Sequence, residues 1–143
     1  MKVVEIKKYG GPDVLYIGSR PIPKPKKNEV LIKVKAAGIN RPDILQREGG
    51  YPAPKGASDI LGLEVSGEVV ELGKKTKNIK KGDKVCALVS GGGYSEYCLA
   101  PFTQCLSIPK NISFAEAATI PETFFTIWFN LFIRSKIKKN DQI

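Results

Sequence analysis

Glu29-Val30-Leu31-Ile32-Lys33-Val34-Lys35 alternates well enough to form a central β-strand, and the chain around it keeps that texture from Lys2 to Ile108. Just before it, Pro21, Pro23 and Pro25 force an extended linker, because proline fixes φ and restricts its predecessor. Earlier still, Lys2–Lys8 and Val14–Ser19 are short strands around a turn at Gly10-Gly11-Pro12-Asp13. Downstream, Leu61–Leu72 is a long β-branched run closed by Gly73. Lys84–Val89 and Tyr94–Ala100 flank Ser90-Gly91-Gly92-Gly93 and are expected to pair as a hairpin. Strands so closely spaced predict a small barrel or a sandwich.

One short helix interrupts the strands. Residues 41–48 follow a capping Asn40, carry Pro42 in the first turn and stop at Gly49-Gly50. After Pro109 the period changes. Ser113-Phe114-Ala115-Glu116 is a capping box that starts a helix running to about Ile120. Pro121 starts a second helix with Phe124, Phe125, Trp128, Phe129, Leu131 and Phe132, apolar on most of its circumference, a pattern that calls for burial on several sides.

Composition narrows the function. The 143 residues make one domain and little more. Apolar residues at 42% and charged residues at 26% are ordinary for a globular chain and argue against a disordered, fibrous or membrane protein. There is no histidine, which removes Ser-His-Asp and Cys-His nucleophile pairs and every zinc site that needs an imidazole. Cys86, Cys98 and Cys105 are odd in number and lack Cys-x-x-Cys spacing, so they read as reduced thiols on strands. The N-terminus has no long apolar stretch, and Phe124 to Ile133 is far short of the ~20 residues a membrane span needs, which places the chain in the cytoplasm. The net charge of +9 comes from lysines, with arginine only at positions 20, 41, 47 and 134. Runs such as Lys24, Lys26, Lys27 and Lys74, Lys75, Lys77 fall in turn-like segments without interleaved aromatics. They read as a solvated surface, and neither a membrane nor a nucleic-acid partner is expected.

Four features could carry chemistry. Gly91-Gly92-Gly93 lacks the spacing and the following helix of a phosphate loop and reads as a turn. Asn40, Asp43, Gln46 and Tyr51 gather a carboxamide, a carboxylate, a second carboxamide and a phenol around one short helix and its exit loop. Polar groups held there by a β-scaffold suit a site, although capping and turn chemistry account for Asn40 and Asp43 equally well. Glu64 puts a charge inside an apolar strand, where it must be paired or at a site. Thr126 falls on an apolar helix face, either bonding back to its own helix or facing a cleft.

In order along the chain, Gly10–Leu15, Ala36–Asp43 with Gln46, Arg47 and Tyr51, Leu61–Gly67, Gly82–Val85, Gly91–Tyr97, and Pro121-Glu122 leading to Thr126 resemble the N-terminal catalytic half of a quinone oxidoreductase. The superfamily is that of the medium-chain dehydrogenases/reductases, and the branch is the zeta-crystallin-like, p53-inducible one. The resemblance implies a mainly β fold with some α: a GroES-like barrel over residues 1–110, then bridging helices and the start of a truncated Rossmann domain over 111–143. Asp141-Gln142-Ile143 falls where the first Rossmann strand would start, so the Rossmann domain is expected to be missing from a truncated or split chain. It implies hydride transfer from NADPH to a quinone or another electron-poor alkene. No zinc is implied, since Asn40 and Leu63 stand where zinc-dependent relatives carry cysteine and histidine. Asn40 and Tyr51 take the catalytic positions, with Asp43, Gln46 and Tyr51 toward the quinone and Asn40 and Thr126 toward the cofactor. The full-length form is expected to be a homo-oligomer. Two alternatives stay open: an enoyl reductase fragment, and a non-enzymatic GroES-like module that needs a partner.

Overall fold

β3 (Glu29–Ala37) runs two residues beyond its predicted end in the computed structural model, which describes residues 1–142. It is the hub of a curled five-stranded antiparallel sheet with the order β6-β3-β4-β5-β7. The other strands are β4 (Glu64–Leu72), β5 (Lys84–Leu88), β6 (Tyr97–Pro101) and β7 (Cys105–Ser107). A separate hairpin joins β1 (Lys2–Ile6) to β2 (Leu15–Ser19). It leans on the larger sheet through an isolated bridge between Val3 and Ser95. The β3–β4 register shifts twice, between Leu31 and Ile32 and between Val34 and Ala36. Such irregularities raise the local twist and help a sheet to curl.

The core is β-branched, as the alternation requires. Val30, Ile32, Val65, Val69 and Val85 are buried together with Ala87, Cys98 and Ala100. Each such valine or isoleucine contributes roughly 1.5–3 kcal/mol when fully buried. Gly67 is fixed by close approach: a Cβ there would run into the Lys33 carbonyl oxygen on β3.

The glycine stretch corrects the hairpin expectation. β5 pairs with β4 and β7, whereas β6 pairs with β3, so the strands on either side of Gly91–Gly93 never meet. The stretch instead lies along residues 60–62. The amides of Gly92, Gly93 and Tyr94 donate to the carbonyls of Ile60, Gly62 and Leu61. Both edges of β5 already have partners, which leaves β6 to cross to the open edge of β3.

The first helix, α1 (Arg41–Glu48), has the boundaries read from the sequence and ends on Gly49 at φ 88°. The capping box also forms: the Glu116 amide donates to Ser113 Oγ at 3.2 Å, and the Ser113 amide donates to the Glu116 carboxylate at 2.8 Å. The helix it opens, α2 (Phe114–Ala117), is shorter than expected and is tied to β4 by the Ser66 hydroxyl donating to the Phe114 carbonyl. After it, α3 (Pro121–Ile127) continues into a π-helical stretch, Trp128–Arg134. The expected burial of this helix on several sides does not occur, because Phe124 and Trp128 are each 59% exposed. No α/β layer covers it among the described residues. Of the segment expected to start a Rossmann strand, Asp141 and Gln142 are irregular, and Ile143 lies outside the described residues.

Candidate active-site cleft

The site is built around the N-terminus of α1. The Asp43 carboxylate accepts from the Asn40 amide (2.8 Å), the Gly62 amide (3.0 Å) and the Tyr94 hydroxyl (3.0 Å). It thereby ties the helix start, the turn before β4 and the end of the glycine stretch to one point. Gly62, at φ 99°, fits only as glycine, since a Cβ would meet Gly93 and Tyr94. Burial and the neighbouring Asp43 charge push the Tyr94 phenol well above its ordinary value.

Asp43, expected on the substrate side, has a structural role in the folded chain. It is 3% exposed, and three internal donors occupy its oxygens. Capping and turn chemistry take up three of the roughly four acceptor positions of the carboxylate.

Glu64 answers the question its sequence position raised. It is 2% exposed and has no ion-pair partner among the described residues. Its carboxylate accepts from Asn40 Nδ2 (2.8 Å) and from the Glu122 amide in the first turn of α3 (3.0 Å). Gly38 makes room for it, because a Cβ there would collide with the Glu64 carboxylate. One proton of the Asn40 carboxamide is thus committed inward, and the amide is held in one orientation.

In front of this network lies a cleft of about 190 Å³, lined by Gln46, Tyr51, Leu63 and Glu122 among others. Tyr51, one of the lining residues, is 43% exposed. Gln46 is buried, with Nε2 donating to the Asp59 carbonyl at 3.3 Å. Glu122 was missed as a site residue. Burial, then the Glu64 and Asp43 charges, push its carboxyl above the usual range. The only sequence signal was its place after Pro121, which sets it in the first turn of α3.

The structure thus brings Gln46 and Tyr51 together in one cleft; half-buried Asn40 is not among its lining residues and reaches the lining residue Glu122 only through Glu64. Thr126 is not among the lining residues. It is exposed on α3, and its carbonyl accepts from Asn130 Nδ2 at 2.9 Å. A larger cavity of about 530 Å³ lies between the proline linker and β6; Gly91, Gly92 and Cys98 line it, but none of Asn40, Asp43, Gln46, Tyr51 and Thr126 does. The thiols are poor nucleophile candidates: burial pushes Cys98 and Cys105 up to about 12 and raises Cys86. Among the described residues, no group of three or more His, Cys, Asp or Glu side chains could hold a metal ion.

A curled antiparallel sheet with its polar cleft beside a short capped helix defines a class as well as a shape. The model of the alcohol dehydrogenase GroES-like domain matches residues 26–110. The chain belongs to that family, as the N-terminal part of the quinone oxidoreductase type in the medium-chain dehydrogenase/reductase superfamily. It is 34% identical to a Sus scrofa quinone oxidoreductase over 143 residues, covering 99% of this chain and 44% of the relative. It is also 34% identical to a Mus musculus synaptic vesicle membrane protein VAT-1 homolog-like, over 92% of this chain and 32% of the relative. Among solved structures, a Coxiella burnetii quinone oxidoreductase superposes with a TM-score of 0.85 at 32% identity, covering 99% of this chain and 47% of that one. CurK enoyl reductase gives 0.86 at 30% identity, over 96% and 44%. An Escherichia coli quinone oxidoreductase complexed with NADPH gives 0.81 at 33% identity, over 94% and 41%. The chain therefore spans a third to just under half of the length of these proteins.

Proposed function

We propose that this chain is the substrate half of a zinc-independent, NADPH-dependent reductase that works in the cytoplasm and passes hydride to a quinone. The observation that carries the reading is the pairing of Gln46 and Tyr51 in one ring-sized cleft, whose lining residue Glu122 shares the Glu64 carboxylate with the Asn40 carboxamide. Small-molecule pockets usually measure ~300–1,000 Å³, so a cleft of about 190 Å³ suits one flat ring and not a whole dinucleotide. The nicotinamide end of the cofactor fits at this scale. Its pyrophosphate does not, because Gly91–Gly93 is bonded along residues 60–62 and opens no helix.

Bound NADPH would supply the hydride, and the side chains here would place and stabilise what receives it. Tyr51 would stack on the quinone ring and donate its hydroxyl proton in a hydrogen bond to an oxygen gaining negative charge. The second Asn40 Nδ2 proton would serve the ring carboxamide or the quinone oxygen. Thr126, on the exposed side of α3, would meet the cofactor from the face that α3 leaves open. Asn40 and Leu63 offer no thiolate or imidazole, which supports a reaction without a Lewis acid. Likeness to CurK enoyl reductase keeps reduction of an enoyl substrate as the second reading, since the same hydride geometry serves both.

Three polar side chains contribute ~0.5–1.5 kcal/mol net per hydrogen bond, against at least ~4 kcal/mol of freedom lost on association. The isolated chain is therefore expected to bind NADPH weakly and to leave a quinone unreduced. The test follows Trp128 fluorescence during an NADPH titration and NADPH absorbance with a quinone, for the chain alone and mixed with the nucleotide-binding half of a relative. Activity only in the mixture supports the reading. Saturable binding and turnover by the chain alone would overturn the division of labour, and inactivity in a stably formed mixture would favour a non-enzymatic module.

A further inference from the structure

Two lysine runs that lie far apart in the sequence meet at one end of the sheet. The Lys75 amide donates to the Lys27 carbonyl at 2.8 Å, and the Gly73 amide donates to the Glu29 carbonyl at 2.8 Å. Gly73 is needed for this contact, since a Cβ there would collide with the Lys26 carbonyl. Residues 24–29 and 71–83 together hold eight lysines against three carboxylates, Glu29, Glu71 and Asp83. All eight lysines are exposed. An open hollow of about 760 Å³ between the two segments is lined by Asn28, Lys74, Lys75, Lys77 and Phe102, among others, and by no carboxylate. The three ion pairs among the described residues all use arginine, so no lysine charge there is neutralised by a bridge.

The same end is remote from the cleft. β4 begins at Glu64 beside the cleft and ends at Leu72 beside the lysines. At ~3.3 Å per residue that separates the two by roughly 25 Å, well beyond the ~8–10 Å Debye length of ordinary salt. A partner held by the lysines would leave the cleft open.

We propose that this lysine-rich end docks the protein onto an anionic lipid bilayer. A bilayer surface needs only diffuse positive charge within a Debye length of its headgroups, which clustered lysines supply. Nucleic acid is the poorer match. Neither segment contains an arginine to fork a phosphate or base, and the hollow offers a single aromatic ring, Phe102, where a strand needs successive rings to stack on. Insertion through the exposed aromatic helix would be a different mode, indifferent to lipid charge.

The experiment measures binding of the purified chain to phosphatidylcholine vesicles with and without phosphatidylserine, at low and high salt. Each lysine near such a surface strengthens binding about fivefold, so the triple variant K74E/K75E/K77E, which reverses three charges, is expected to lose at least about a hundredfold. A control with the same change in net charge, K110E/K136E/K138E, is expected to lose much less. High salt is expected to abolish binding to the anionic vesicles. Equal binding to neutral vesicles, equal losses in the two triple variants, or tighter binding to a single-stranded oligonucleotide than to the anionic vesicles would each overturn the proposal. None of these outcomes depends on whether the cleft reduces a quinone.

Discussion

Asp43 holds three segments of chain with one carboxylate, so its removal strands the Asn40 and Gly62 backbone amides, while the Tyr94 hydroxyl keeps the Gly38 carbonyl as an acceptor. A buried donor left unsatisfied costs about 1–3 kcal/mol. Asp43→Ala is expected to lower the unfolding free energy by about 3 kcal/mol or more in urea denaturation. A loss below about 1 kcal/mol would mean that water or a neighbour replaces the carboxylate. Glu122 predicts a pH effect of opposite sign to the usual acid effect. Its carboxyl is raised from an ordinary value near 4.5. Its proton is held more tightly in the folded state, so the stability it contributes is full below that value and is lost as pH rises through the folded pKa. Glu122→Gln removes the loss. The variant is expected to melt higher than the parent at neutral pH, with the gap closing below pH 4.5, as read by thermal melts across pH. Glu5 and Asp59 behave conversely. The Arg20 guanidinium bonded to both lowers them, and their contribution disappears as pH falls through the lowered values.

Among the elements, Gly67 tests the β3–β4 pairing directly. Gly67→Ala places a methyl against the Lys33 carbonyl and is expected to cost about 2 kcal/mol or more, because neither strand can give way without breaking ladder bonds. Gly11→Ala meets nothing within 4 Å and is expected to be nearly silent by the same denaturation measurement. What the sequence made legible at this scale follows from how local each signal is. The bounds of α1 and the Ser113 capping box were readable because helix ends are written in adjacent residues. The strands were readable within a few residues because alternation is a local pattern. Their partners were not: alternation on β5 and β6 is compatible with a hairpin, and only the occupied edges of β5 exclude it. At the site, Tyr51 and Gln46 were legible as polar groups on one helix and its exit loop. Glu122 was hidden because its approach to Glu64 is a contact between β4 and α3 that no spacing records.

At the scale of the whole molecule, the exposed faces of α3 and the π-helical stretch outweigh any single residue. Phe124, Trp128, Phe129, Phe132 and Ile133 all lie exposed, with the Trp128 and Phe132 rings stacked 4.6 Å apart. Contiguous apolar surface of this kind favours association. Sedimentation velocity of the isolated chain is expected to show its mass rising with concentration. The double variant F129D/F132D is expected to restore a monomer without lowering the melting temperature, because neither ring is part of the barrel core. A chain that stays monomeric at all concentrations would show that these rings shield one another.

The strand order also sets a timetable. β3 ends at Ala37, but the strand that closes its second edge starts only at Tyr97. Contacts so distant in sequence slow folding toward the millisecond-to-second range, and during synthesis they cannot form at all until the later strand has emerged. Throughout that interval a nascent chain presents β3 with a bare row of amides and carbonyls, to which another strand could add. The span from Ala37 to Pro101 is thus the stretch of translation in which aggregation competes hardest with folding.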